Sequence, residues 1–150
     1  MNTILSQPVS KSFPPLSSIH SNIEPVDRYQ TAELVDLINS FVELSEDWIG
    51  PGSVPPSKLT IENANRLLEF LPDYVIDFIH ADDITATPYG TIVIDIERRE
   101  NLLSFEVGDK GMGYFLEING DIKKIKDIDG FNFRFETDVE WIEIFSKLMR

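Results

Sequence analysis

Cysteine is missing from the 150-residue chain, which excludes disulfides, thiolate metal sites and thiol nucleophiles. Histidine is nearly missing too, with His20 and His80 alone, and tryptophan is limited to Trp48 and Trp141. No apolar run approaches the roughly 20 residues that a membrane-spanning helix needs. The opening Met1–Pro8 has neither the basic start nor the apolar stretch of a signal peptide. These absences lead us to expect a soluble, cytoplasmic protein that does not associate with membranes. Positive charge is also scarce: 13 Lys and Arg stand against 26 Asp and Glu, a formal net charge of −13. Residues 31–120 hold 17 acids and five bases, whereas residues 1–30 balance two against two. Such a body repels phosphate backbones, so a nucleic-acid binder is not expected. A basic protein partner is the opposite case, because the same field steers it in.

What is present reads as one globular domain. The chain is 42% hydrophobic and 11% aromatic, enough to build a single core. Residues 1–28 carry Pro8, Pro14, Pro15 and Pro25 and a scatter of apolar residues without period, which predicts a flexible N-terminal arm. Residues 29–150 are the expected α+β domain. A first helix is expected from a Thr31 cap, with Leu34, Leu37, Ile38, Phe41 and Val42 at helical spacing. A second, capped by Ser57 or Thr60, aligns Ile61, Ala64, Leu67, Leu68 and Leu71 and stops at Pro72.

The period then falls to two. A short strand is expected at 75–79. Clear alternation follows in Thr91–Glu97, in Leu103–Val107, in Met112–Ile118 and around Phe131, Phe133 and Phe135, with a weaker strand over Ile122–Ile128. Asn119-Gly120 and Asp129-Gly130 lie between such runs and mark tight hairpins. A closing helix over Asp138–Met149 is expected to turn Val139, Ile142, Phe145 and Met149 inward. The predicted architecture is two N-terminal helices, an antiparallel meander of about five strands, and a C-terminal helix packed on one face of it.

Few residues offer chemistry. His80-Ala81-Asp82-Asp83 places an imidazole near two carboxylates, but no recognised metal-ligand spacing accompanies it. Gly108-Asp109-Lys110-Gly111-Met112-Gly113 superficially looks like a phosphate loop. It lies between two strands, where phosphate cradling would need a helix N-terminus, so a hairpin loop is expected. No Gly-x-Ser-x-Gly elbow is present, and no catalytic residue, metal or cofactor is expected. Carboxylates remain. Asp95, Glu97, Glu106, Glu117 and Glu136 fall opposite the greasy sheet face, with Arg134 and Lys123 as partners for them and Phe115 and Val93 among them. That surface is the candidate interaction face.

Asp47-Trp48-Ile49-Gly50-Pro51-Gly52-Ser53-Val54-Pro55-Pro56 allows neither helix nor strand to run through it. It reads as an ordered junction in which Trp48 plugs the bend that Gly50 and Gly52 permit. This junction, the Phe70-Leu71-Pro72 helix end and the strand entry Ala86-Thr87-Pro88-Tyr89-Gly90-Thr91-Ile92-Val93-Ile94-Asp95-Ile96 together resemble a group of small bacterial proteins. The group shares a Gly-Trp-Asp-Gly-x-Gly-Ala-x-Pro junction, a Leu-Pro helix end and a Pro-Thr-Pro-Asp-Gly-Gly-x-x-Leu-Glu-Trp strand. Ile49 stands where that pattern has Asp, and Ile96 where it has the second Trp. The resemblance spans residues 44–108 and implies the order of elements, not an activity. The functional expectation is a non-enzymatic interaction module, antitoxin- or immunity-like, that docks a basic partner. The alternatives are a small-molecule binder or carboxylate-dependent hydrolase, and a homo-oligomer exchanging residues 1–28.

Overall fold

The computed structural model describes residues 30–130 and 138–150. The chain divides into two units at Ala32, and the description below concerns Glu33–Arg150 together with the helical residues 30–32 that precede it. The expected arm, residues 1–28, and the expected strand around Phe131–Phe135 lie outside the described residues.

Among the described residues, helix α1 occupies 30–40 and passes into a 3₁₀ turn at Phe41–Glu43. Thr31 is inside the helix and is not its cap. Leu34 and Ile38, one turn apart, are the residues that α1 buries, while Val42 is exposed. Helix α2, Lys58–Phe70, begins where the Ser57 hydroxyl accepts the Thr60 N–H at 3.1 Å. Its buried stripe includes Ile61, Ala64, Leu67 and Leu68, as its spacing requires. Leu71 leaves it in an extended conformation immediately before Pro72.

The expected strand at 75–79 is instead a short helix α3, Asp73–Ile76, followed by a turn. Val75, Ile76 and Ile79 are all buried, an i, i+1, i+4 set that a helical turn satisfies. A strand would have carried Asp77 inward between Val75 and Ile79. A 3₁₀ turn at Ala81–Asp83 leads into an unanticipated strand β1, Ile84–Ala86. The others are β2 Ile92–Arg98, β3 Asn101–Val107, β4 Gly111–Ile118 and β5 Asp121–Asp129. They form an antiparallel sheet in the order β1-β2-β3-β4-β5, so each strand pairs with its neighbour in sequence. Helix α4, Val139–Leu148, closes the chain.

Alternation assigns the sheet two unlike faces. Ile92, Ile94, Ile96, Leu103, Phe105, Val107, Met112, Tyr114 and Leu116 are buried on one of them. Helix α2 covers it along β2 and β3, and α4 along β3 and β4. The phase of α4 differs from the expectation. Trp141, Ile144, Phe145 and Leu148 are buried, whereas Val139 is 71% exposed and Ile142 48%. Trp141 sets this phase: its ring lies 4.7 Å from that of Tyr114, 5.8 Å from Phe105 and 5.9 Å from Phe145. Turning Val139 and Ile142 inward would break that aromatic cluster, which outweighs two aliphatic contacts.

Polar clasps fix the layers at their ends. Asn101, buried on β3, donates to the Leu148 carbonyl at 3.1 Å and caps the end of α4. At the other end, Asp109 in the β3–β4 turn accepts the hydroxyls of Ser57 and Thr60, and these hydrogen bonds hold its carboxyl below the usual range. Asn63 adds bonds to the Gly108 and Asp109 carbonyls at 3.0 and 3.1 Å. Glu140 in the first turn of α4 binds Lys124 at 2.5 Å and accepts the Tyr114 hydroxyl at 3.0 Å. Lys124, then Tyr114, lowers the Glu140 pKa to about 2, and burial followed by Glu140 raises that of Tyr114.

Two outcomes follow for stability. Trp141→Ala should lower the unfolding free energy by about 3–5 kcal/mol and Ile142→Ala by under about 0.5 kcal/mol, measured by urea denaturation. Equal losses would mean that α4 packs in the other phase. Because the Glu140 carboxyl titrates lower in the folded chain than its ordinary 4.5, its contribution is complete above that value. It is lost as pH falls from there through about 2. Its side chain is 40% exposed, so solvent screening reduces the effect. Glu140→Gln should cost about 1 kcal/mol at neutral pH and flatten acid unfolding over that window, followed by circular dichroism.

Candidate functional site

The face of the sheet turned away from α2 and α4 is where the expected interaction residues meet. Strand pairing aligns Val93, Glu106, Gly113 and Asp127 in one row across β2 to β5. The next row is Asp95, Ser104, Phe115 and Ile125, and a third is Glu97, Leu102, Glu117 and Ile122. Asp95, Glu97, Glu106, Phe115 and Glu117 therefore share one face, as their alternation predicts. Arg134 and Glu136 lie outside the described residues.

Leu102, Ile122, Ile125 and Asp127 join this face without having been anticipated. Leu102 was legible, since it alternates with Leu103. The isoleucines were not, because period two puts Ile122 and Ile125 on opposite faces. The register shifts between Leu116 and Glu117: Leu116 pairs with Lys124 and Glu117 with Ile122, skipping Lys123. This β-bulge brings both isoleucines to the same side. Ile125 is 72% exposed and Ile122 59%, while Val93, Leu102 and Phe115 are half-buried. Lys123, expected as a partner for the acids, instead lies 3.7 Å from Asp121.

Two of the face carboxylates are held in place. Ser104 donates to Asp95 at 2.5 Å and Thr91 to Glu106 at 2.7 Å. Asp127 leans across Gly113, where an added Cβ would come within 2.9 Å of its Oδ1. No Lys or Arg occupies any of the three rows.

The other motifs have local structural roles. The His80 N–H donates to Asp83 at 2.8 Å and its Nδ1 lies 3.2 Å from the same oxygen, which ties the 3₁₀ turn. Among the described residues, no three His, Asp or Glu side chains gather as a metal-binding group. The Gly108–Gly111 segment is a hairpin turn, with the Gly108 N–H bonded to the Gly111 carbonyl. The anion at the start of α2 is the chain's own Asp109. A hollow of about 300 Å³ on α4, lined by Ile142, Glu143, Ser146, Lys147 and Arg150, includes none of the face acids. Among the described residues no helix is long and apolar enough to cross a membrane.

The junction is a tightly bonded loop. Asp47, at φ +61°, accepts the Gly52 N–H on its carboxylate at 2.7 Å and donates its own N–H to the Ser53 carbonyl at 2.9 Å. Gly50 and Gly52 take φ values of +137° and +84°, which disfavour side-chain-bearing residues. Trp48, the expected plug of the bend, is half-buried, and its buried indole N–H has no hydrogen-bond partner among the described residues. The Val54 N–H donates to the Pro88 carbonyl at 2.8 Å, so the junction rests on the turn that enters β2.

Comparison with protein-family models, curated proteins and solved structures returns no match. The site is therefore read from its geometry. If the outer-face acids serve recognition and not folding, Glu117→Gln should leave the thermal midpoint unchanged or raise it, by up to about 0.5 kcal/mol in stability terms. A loss above about 1 kcal/mol in differential scanning calorimetry would assign Glu117 to the fold.

Proposed function

We propose that the chain is a non-enzymatic interaction module, antitoxin- or immunity-like, whose outer sheet face docks a basic protein. One observation carries this reading: Ile122 and Ile125 are left in water on a face bearing Asp95, Glu97, Glu106, Glu117 and Asp127 and no base in its rows. Exposed aliphatics grouped within one-signed charge suit an interface better than a merely solvated face. The overall charge of −13 would accelerate the encounter. Hydrolysis would need paired carboxylates around a substrate cleft, whereas these acids stand among aliphatics on neighbouring strands. The two ends of the resemblance to the small bacterial group, the junction and the β2 entry, are in contact through Val54 and Pro88. This supports reading the shared pattern as a structural clasp.

Affinity capture with the tagged full chain from its own cells tests the proposal. A stoichiometric basic protein should be retained at low salt, released at about 0.5 M salt, and lost with Asp95→Lys/Glu97→Lys. Capture indifferent to the double variant, or no stoichiometric partner at any salt, overturns it.

A further inference from the structure

The outer face is not uniformly acidic, and its division specifies what it takes up. Most of its apolar residues gather towards β4 and β5, while Val93 stands apart on β2. Phe115 and Ile125 are cross-strand partners on β4 and β5, and in the next row Glu117 of β4 stands between Ile122 on β5 and Leu102 on β3. Asp95 and Glu97 line β2, while Glu106 and Asp127 close one end of the patch. We infer that the element this face captures is an amphipathic helix with one apolar stripe and one basic flank. The inference rests on the docking reading above and adds the form of the partner.

Dimensions favour a helix. Neighbouring strands are about 4.8 Å apart, so the face from β2 to β5 is about 14 Å wide. A helix is about 10 Å across with its side chains. Seated along β4 and β5, it covers Phe115, Ile122 and Ile125 with residues at i, i+3 and i+4. Its flank then stands over β3, within a basic side chain's reach of Asp95, Glu97 and Glu106. An unstructured basic tail would satisfy the acids but leave the isoleucines in water.

Charge favours a foreign basic element over a second copy of the chain or its residues 1–28. A second copy seated face to face would oppose Asp95, Glu97, Glu106, Glu117 and Asp127 with the same five carboxylates. Residues 1–28 carry Lys11 and Arg28 against Glu24 and Asp27 and so offer no positive surplus.

Synthetic peptides separate this inference from the reading beneath it. The probes, each about 18 residues or five turns long, are three. One is a leucine–lysine helix with an apolar stripe and a lysine flank. The second is a scrambled isomer of identical composition, and the third replaces every lysine with glutamate. Fluorescence anisotropy with the full chain should show the first binding at least about tenfold tighter than the scramble, and no binding of the acidic peptide. Ile125→Ser should abolish the advantage over the scramble while both basic peptides still bind. Its fold is checked by near-ultraviolet circular dichroism, and Ile125 is exposed enough to be replaced without loss of the core. Equal binding of the two basic peptides overturns the helix inference and leaves charge-driven docking standing. Failure of both basic peptides to bind more tightly than the acidic one overturns both. An advantage that survives in Ile125→Ser places the helix elsewhere and also overturns the inference.

Discussion

Trp141 on the sheet is the contact from which the rest of the arrangement follows. Its ring packs with Phe105, Tyr114 and Phe145, and this joins the middle of the meander to the last helix. A five-stranded sheet of consecutive hairpins buries nothing until something covers one face, and a large aromatic on a helix supplies much area in one step. Once α4 is held in that phase, Glu140 faces Lys124, Lys126 and Tyr114, and the helix end faces Asn101. Val139 and Ile142 are left in solvent as a consequence of the same rotation.

On the opposite face Ile122 and Ile125 are exposed among carboxylates. Cross-strand positions bring carboxylates and aliphatics together in three rows, and the bulge at Lys123 adds a second isoleucine to the patch. Hydrogen bonds from Ser104 and Thr91 orient two of the carboxylates on this face. The docking reading grows from that combination of fixed charge and uncovered aliphatic surface, not from any nucleophile or metal ligand.

Much of this was legible from local pattern. The α2 stripe, the alternation of β2, β3 and β4, the hairpin at Gly108–Gly111 and the shared face of Asp95, Glu97, Glu106, Phe115 and Glu117 all follow from spacing. Each involves residues whose neighbours are set by one element or one hairpin. Three features were not legible. Residues 75–79 form a helix and turn because Val75, Ile76 and Ile79 must all be enclosed, and Asp77 could not be. Helix α4 had two apolar stripes to choose from. Ile122 and Ile125 share a face only because pairing with β4 slips by one residue.

The sequence by itself determined the class of fold, the succession of β2 to β5 and the sign of its charge, since periodicity, turn residues and composition are local properties. The tertiary structure alone decided which stripe of α4 meets the sheet, because that depends on aromatic rings brought together from β3, β4 and α4. It also decided that the acidic face carries an apolar patch, because a register shift is a property of two strands and is written in neither.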